Sequence, residues 1–174
     1  DPIALRIGPL AIRWYALAYI TGLLLGWAYI IRLLRRPPHT MTAEQVGDFL
    51  GWAVIGIVLG GRLGYVAFYK PEYYLANPNE ILTIWQGGMS FHGGLIGMLL
   101  AMEAFTRRRA LSFLGVADLI ACAAPIGIAF GRVANFINGE LYGRVTSVSW
   151  GVLFPRGGAE PRHPSQLYEA ALEG

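Results

Sequence analysis

The chain has 174 residues, of which 55% are hydrophobic and only 14% are charged. Ordinary soluble domains carry about 25% charged residues, so this composition excludes that class and indicates a membrane protein. The net charge is +3, and the basic residues cluster at the edges of apolar runs, which is typical of membrane orientation and gives no reason to expect a nucleic-acid partner. The single cysteine, Cys122, provides neither a disulfide nor paired metal ligands, and we expect no metal and no cofactor.

Four apolar runs approach or exceed the roughly 20 residues that a helix needs to cross a bilayer. They cover residues 12–34, 46–68, 89–105 and 113–137. A fifth helix is expected to begin near Pro164, because proline suits the first helical turn. The sequence therefore predicts an all-α polytopic membrane protein, with four transmembrane helices and the start of a fifth. Because it lacks an initial methionine and stops as a helix begins, we expect residues 1–174 to form a single transmembrane domain that is a fragment of a longer chain.

The basic residues that follow the apolar runs predict the orientation of the chain. After the first and third runs these are Arg32, Arg35, Arg36, Arg107, Arg108 and Arg109. The positive-inside rule places them in the cytoplasm. The N-terminus and the segments 69–88 and 139–163 are then expected to face outwards.

Glycines four residues apart occur in every apolar run. They are Gly22 and Gly26; Gly56, Gly60 and Gly64; Gly93 and Gly97; and Gly127 and Gly131. Small residues at this spacing let helix backbones approach closely in lipid. We therefore expect the helices to pack through these stripes of small residues.

Polar residues gather at the predicted outer ends of the helices. They are Tyr15, Arg62, His92, Arg132 and Asn135. Ionisable residues in membrane helices are costly and usually face a cavity or a partner. Simpler interpretations remain open. The arginines could extend their charged ends to the lipid headgroups, the tyrosine could be an ordinary interfacial aromatic residue, and the histidine could bind a backbone carbonyl.

The stretch GRVANFINGELYGR, residues 131–144, concentrates this polarity at the end of the fourth run. Asn138 and Gly139 are suited to left-handed conformations and predict a helix C-terminus. Arginines offer forked donors for a lipid phosphate, and histidine or glutamate can manage a proton. The residues alone thus predict an intramembrane site for an anionic lipid or solute, open to the outer side.

The same stretch resembles the signature of the bacterial prolipoprotein diacylglyceryl transferases. The resemblance extends over essentially the whole chain, through WYALAY, GGRLGYVAFY, GGMSFHGGLIG, LFP and RHPSQLYEA, in the order of the family. It implies a multi-pass enzyme of the bacterial cytoplasmic (inner) membrane with its active site towards the outer leaflet. It also implies further C-terminal helices, and this sequence stops before them.

The resemblance implies transfer of the diacylglyceryl group of phosphatidylglycerol to the lipobox cysteine of a prolipoprotein signal peptide. A thioether forms and glycerol phosphate leaves, so the implied partners are phosphatidylglycerol, lipobox signal peptides and membrane lipids. Carried over by motif, Arg132 holds the lipid headgroup and His92 is the proposed base. We further expect Tyr15 to be essential, with Asn135, Glu140 and Gly143 shaping the site. Arg62 is a candidate for substrate binding from its position alone.

Two other classes of protein are alternatives to the transferase. A transporter for small anions or lipids would use Arg62, Arg132, His92 and Glu140 to line a path, but it predicts polar residues through the full membrane depth or an inverted repeat. The central parts of the runs are apolar and show no convincing repeat. A structural scaffold would explain the glycine stripes but not the outer polar cluster.

Overall fold

The structure is a computed structural model that describes residues 3–7 and 10–174, without the side chains of residues 7, 10–13 and 86. It is mostly helical and forms two compact units, one from Asp1–Leu33 and Leu119–Gly174 and the other from Leu34–Asp118. The elements in chain order are β1 (Ile3–Ile7), β2 (Leu10–Arg13), α1 (Trp14–Leu33), α2 (Ala43–Phe68), α3 (Pro71–Ala76), two short 3-10 turns (Pro78–Leu82 and Ile84–Gln86), α4 (Phe91–Arg109), α5 (Phe113–Asn138) and α6 (Ser165–Leu172).

The N-terminal hairpin departs from the expectation of an all-α protein. Strands β1 and β2 pair antiparallel, with Ile7 opposite Leu10 and Ile3 opposite Arg13. Both strands are short apolar runs, and periodicity does not separate a strand from a helix at such lengths. The Gly-Pro pair between them in the sequence is a turn signal that ends a helix pattern. The first helix consequently begins at Trp14 rather than at residue 12.

Three helices of the described chain are long and apolar enough to cross a membrane: α1, α2 and α5. Many of their apolar side chains are exposed, including Leu24 at 58% and Ile55 at 61%, as expected for helices surrounded by lipid. Helix α4 is not among the three, because it contains Glu103 and ends with three arginines. The predicted count of four spans is therefore not confirmed, whereas the membrane character of the chain is supported.

A capping box explains where helix α2 begins. The side chain of Thr42 accepts a hydrogen bond from the Gln45 backbone, and the Gln45 side chain accepts one from the Thr42 backbone. This reciprocal cap starts α2 at Ala43, three residues before the apolar run. Helix α6 begins at Ser165 after Pro164, where a helix start was predicted, and has no side-chain cap. That it is the start of a fifth transmembrane helix stays a prediction.

In the unit Leu34–Asp118, helices α2 and α4 pack through their glycines, as predicted. A Cβ atom at Gly56 would lie 2.5 Å from the backbone oxygen of Gly97, and one at Gly64 would lie 2.8 Å from the Cα of Gly93. Gly60 is equally tight against the backbone of Gly93. Only glycine permits this separation of the two backbones.

In the other unit, helix α1 lies against helix α5 at its glycine stripe. Gly22 and Gly26 are buried. A Cβ atom at Gly22 would lie 3.2 Å from the Cα of Gly127, and one at Gly26 would lie 3.8 Å from the Cβ of Ala123. By contrast, a Cβ atom at Gly131 would meet no atom of the described residues within 4 Å. The glycines of α1 therefore make this contact, and the α5 stripe is used only in part.

Candidate functional site

The polar stretch 131–144 begins on the last turns of helix α5 and leaves the helix through a Schellman motif. The Glu140 amide donates to the Asn135 carbonyl at 3.0 Å, and the Gly139 amide donates to the Phe136 carbonyl at 3.0 Å. Gly139 adopts a left-handed conformation with φ of 66°. These bonds satisfy the terminal carbonyls of the helix, which confirms the predicted C-terminus at Asn138 and gives the Asn135 backbone a definite partner.

Two side chains interact directly after this helix end. The Asn138 side-chain amide donates to Glu140 Oε1 at 2.8 Å. Leu141, the next residue, has a left-handed backbone with φ of 54°, which is unusual for a branched side chain. The segment therefore adopts a strained turn, and such turns persist only where neighbouring contacts hold them.

The contacts that hold this turn come from residues just before helix α6. The Gly143 amide donates to the His163 carbonyl at 2.9 Å, and the His163 amide donates to the Arg144 carbonyl at 3.1 Å. A Cβ atom at Gly143 would lie 2.9 Å from the Cβ of His163. Gly143 thus allows a close antiparallel approach that a larger residue would obstruct.

The neighbouring arginine, Arg162, reinforces the same approach. Its Nη1 donates to the Gly143 carbonyl at 3.3 Å and its Nε donates to the Gly157 carbonyl at 2.8 Å. The guanidinium lies over the Tyr142 ring, 5.1 Å from the centroid. Arg162 therefore acts within the loop, although its charge alone resembles that of a headgroup-binding residue.

Helix α6 reaches the site with two side chains, Gln166 and Glu169. Glu169 Oε2 lies 2.7 Å from Arg132 Nε, and both side chains are about one-third exposed, at 32% and 31%. The Gln166 side-chain amide donates to the Glu140 carbonyl at 2.5 Å, and Gln166 is completely buried. Arg132 and Glu140, both predicted site residues, are thus contacted by the same short helix.

Tyr15 lies at the start of helix α1 in the same unit. Its hydroxyl is 3.0 Å from the Tyr19 hydroxyl, and the two rings tilt against each other with centroids 4.7 Å apart. The structure therefore brings Tyr15, Arg132, Asn135, Glu140 and Gly143 into one unit.

Arg62 and His92 belong to the other unit, where Arg62 is nearly inaccessible, at 3% exposure. The Arg62 guanidinium donates to five oxygens: those of Ile81 (2.7 Å), Gly87 (2.7 Å), Gly88 (3.3 Å) and Glu80 (2.6 Å), and the Thr83 hydroxyl (3.4 Å). It also lies over the Tyr74 ring at 5.1 Å. All three nitrogens are therefore engaged, and the predicted role of Arg62 in substrate binding finds no support in these contacts.

His92 is the second residue of helix α4 and is exposed. The helix is capped by Ser90, whose hydroxyl accepts from the Gly93 amide at 3.2 Å. The imidazole meets the Phe91 ring edge to face, with centroids 5.6 Å apart. The position leaves the ring accessible, and its role as a base stays a prediction.

Sequence reasoning missed the contribution of helix α6. Gln166 and Glu169 lie three residues apart, so they share one face of the helix. That spacing within RHPSQLYEA was the available signal, but the short helix was read only as the start of another span. The carboxylate opposite Arg132 was for this reason not anticipated.

Chemically, the unit offers a forked cation, a carboxylate next to it, amides and a tyrosine hydroxyl. An arginine can bind a phosphate through two parallel hydrogen bonds. Among the described residues no group of three or more His, Cys, Asp or Glu is placed to hold a metal ion. The arrangement is suited to recognising an anionic headgroup.

Comparisons with known proteins identify what the chain resembles. Residues 2–174 match the family model described as prolipoprotein diacylglyceryl transferase. A phosphatidylglycerol–prolipoprotein diacylglyceryl transferase of Paramagnetospirillum magneticum is 64% identical over 175 residues, which cover all of this chain and 65% of the relative. Relatives of the same name from Azospirillum brasilense and Nitratidesulfovibrio vulgaris are 60% and 52% identical, and the chain covers 66% of each. The chain thus spans about two-thirds of the length of these relatives.

Proposed function

Because the chain belongs to the prolipoprotein diacylglyceryl transferase family, we propose that it carries the lipid-binding part of an enzyme that lipidates prolipoproteins. The reaction moves the diacylglyceryl group of phosphatidylglycerol to the cysteine thiol of a lipobox signal peptide. The names of the relatives, phosphatidylglycerol–prolipoprotein diacylglyceryl transferases, support both substrates. The ion pair of Arg132 with Glu169, on the helix whose Gln166 contacts Glu140, is the observation in this chain that favours the assignment.

The proposal includes a place and an orientation for the protein. We place it in the bacterial cytoplasmic membrane as a multi-pass protein, with α4 as a fourth span and α6 as the start of a fifth. The arginines after α1 and at the end of α4 support a cytoplasmic location for those ends, and hence an outward N-terminus. Stretch 131–144 then lies near the outer leaflet, where a signal peptide that has crossed the membrane presents its cysteine.

Arg132 is proposed to bind the phosphate of phosphatidylglycerol. Its guanidinium is paired through Nε, which leaves the two terminal nitrogens to donate to phosphate oxygens. Glu169 fixes the direction of the guanidinium, and the partial burial of the pair strengthens its interaction with an anion. As the phosphate departs, the same cation stabilises the developing charge.

The covalent step needs no nucleophile from the enzyme. The cysteine sulfur attacks the sn-3 carbon of the diacylglyceryl group, a carbon–sulfur bond forms, and the bond from that carbon to the phosphate oxygen breaks. The electron pair of the broken bond leaves with glycerol phosphate, and the thiol proton passes to a base. His92 is our proposed base, since its exposed imidazole carries a nitrogen that can accept the thiol proton.

The remaining residues are proposed to shape the site around the lipid. Tyr15 and Asn135 offer a hydroxyl and an amide to headgroup oxygens, while Glu140 and Gly143 set the path of the turn. For Arg62 we propose a different part: it anchors the segment that leads to α4 and His92. This part follows from its five backbone and side-chain acceptors.

The test is a transfer assay with phosphatidylglycerol and a lipobox peptide, read by mass spectrometry of the cysteine. It uses the 174-residue chain and a chimera that continues with the C-terminal third of the Paramagnetospirillum magneticum relative. A diacylglyceryl thioether from either protein, lost in an Arg132→Ala and Asn135→Ala double variant, supports the proposal. Absence of product from both proteins, or full activity of the double variant, would overturn it and favour an anion or lipid transporter.

A further inference from the structure

Helix α6 and the four residues before it, Pro161–Pro164, clamp the turn that follows helix α5. Five hydrogen bonds connect them to four residues of the turn. They join the Gln166 side chain to the Glu140 carbonyl (2.5 Å), the Ser165 hydroxyl to the Leu141 carbonyl (3.1 Å), the Gly143 amide to the His163 carbonyl (2.9 Å), the Arg162 Nη1 to the Gly143 carbonyl (3.3 Å) and the His163 amide to the Arg144 carbonyl (3.1 Å). The turn between residues 140 and 144 is thus held along its whole length.

Gln166 is the most constrained member of this clamp. Its side chain is completely buried, and its Oε1 has no hydrogen-bond partner among the described residues. The Glu140 carbonyl can only accept, so the contacting atom of Gln166 has to be its amide nitrogen. A buried amide that leaves its own oxygen unsatisfied is costly, and that cost is tolerated where the donated bond fixes something else.

The hydrogen bond from Gln166 holds Glu140, the residue whose carboxylate accepts from the Asn138 side chain. Asn138 donates to the Glu140 carboxylate, and Gln166 holds the Glu140 carbonyl. One helical turn later, Glu169 contacts Arg132 from the same face of α6. A single rigid helix thereby sets the distance between Arg132 and Glu140.

We propose that Gln166 is a positioning residue, which acts through the Glu140 carbonyl to hold the strained turn at Leu141 and, with it, the position of the Glu140 carboxylate. The effect on catalysis rests on the proposed function. The effect on the turn itself does not, because it depends only on contacts within the described chain.

The first test is amide hydrogen exchange of the full chain in lipid nanodiscs, which needs no activity. Gln166→Met keeps the length of the side chain and removes the donor. We expect the amides of Glu140 and Gly143 to exchange about tenfold faster, as loss of a buried hydrogen bond implies. Glu173→Gln, at an exposed position of the same segment, is the control and should leave them unchanged. Unchanged exchange at Glu140 and Gly143 in Gln166→Met would overturn the proposal.

The second test uses a variant that restores the donor in a pH-dependent way. In Gln166→Glu the ionised side chain cannot donate, whereas the protonated acid can, and burial favours the protonated form. We expect the exchange of Glu140 and Gly143 in this variant to approach that of the original chain as the pH falls, after correction for intrinsic exchange. A variant that is merely misfolded would show no such recovery, and its absence would contradict the proposal.

The third test connects the turn to transfer, in the chimera or chain that is active. Gln166→Met is expected to lower kcat/KM about tenfold, and to have less than a threefold effect in a Glu140→Gln background. Additive losses would show that Gln166 does not act through Glu140. If neither the chain nor the chimera transfers lipid without any substitution, the proposed function would be contradicted, while the hydrogen-exchange result would still stand.

Discussion

Arg132 Nε and Glu169 Oε2 lie 2.7 Å apart and join the end of helix α5 to helix α6. The two residues are separated by an irregular loop, so their contact depends on how that loop folds back. Because Glu169 contacts the guanidinium at Nε, the two terminal nitrogens remain to form a fork of donors. This fork is the part of the site best suited to a phosphate.

The first prediction concerns the fork itself. Arg132→Lys keeps the charge but replaces a planar donor by a point charge, so we expect transfer to fall at least about tenfold, and at least about a hundredfold in Arg132→Ala. The measurement is kcat/KM for phosphatidylglycerol in the active protein. Arg107→Lys is a matched control, since Arg107 pairs with Glu103 at an exposed position. Equal activity of Arg132→Lys and the original would show that the fork is not used.

A second prediction follows from the close approach at Gly143. In Gly143→Ala, the added methyl group would lie 2.9 Å from the Cβ of His163 and 3.0 Å from its carbonyl oxygen. We expect the turn to shift and the free energy of unfolding to fall by about 1–3 kcal/mol, with reduced transfer. Thermal unfolding in detergent measures the change. Gly51→Ala, where no described atom lies within 4 Å, should leave Tm unchanged or raise it slightly, and a similar outcome at Gly143 would refute the prediction.

A third prediction tests the part assigned to Arg62. Arg62→Lys leaves three donors where the guanidinium has five, so some of the carbonyls of Glu80, Ile81, Gly87 and Gly88 lose their partner. We expect the segment 80–88 to be cleaved faster by protease, with a loss of about 1–3 kcal/mol in its local stability. Arg108→Lys provides a control on helix α4. Protection equal to that of the original chain would exclude Arg62 as the anchor.

A fourth prediction concerns pH. The Tyr73 hydroxyl donates to Glu80 Oε2 at 2.6 Å, and this hydrogen bond raises the pKa of Tyr73 above its usual value of about 10. The folded chain therefore holds this proton more tightly than the unfolded chain does. The resulting stabilisation is complete below the unfolded pKa and is lost as the pH rises through the higher, folded pKa.

Titration of tyrosine Cζ signals by NMR tests this pH dependence, with Tyr73→Phe to identify the signal. In Glu80→Gln the negative charge near the hydroxyl is removed, so the pKa of Tyr73 should move down towards its usual value. An unchanged midpoint in Glu80→Gln would show that Glu80 does not cause the shift.

Much of the helical architecture was predictable, because apolar length and small-residue spacing are direct consequences of the lipid environment. The contact of Gly56 with Gly97 and the helix end at Asn138–Gly139 both follow from local sequence. The start of α2 at Ala43 was misjudged because the apolar run begins later than the capping box at Thr42. The hairpin Ile3–Arg13 was missed because short apolar runs fit a strand as well as a helix.

The candidate site was predictable only in its residue types. Arg132 and Glu140 were recognisable as costly polar groups, but the residues of helix α6 that contact them, Glu169 and Gln166, lie 26 or more residues further along the chain. Arg62 shows the opposite case: an arginine near a helix end suggested a headgroup ligand, whereas its acceptors are backbone oxygens of a following loop. Pairings across such loops depend on tertiary folding, which periodicity and spacing do not encode.

The most direct measurement of the central claim is the ratio of two products in one reaction. The active protein, chain or chimera, would be incubated with phosphatidylglycerol labelled in its terminal glycerol and with a lipobox peptide. Peptide thioether and labelled glycerol phosphate would then be quantified together. We predict that the two form in equal amounts and that both disappear in Arg132→Ala. Thioether without glycerol phosphate, or release of glycerol phosphate without modification of the cysteine, would contradict a direct transfer at the site of Arg132.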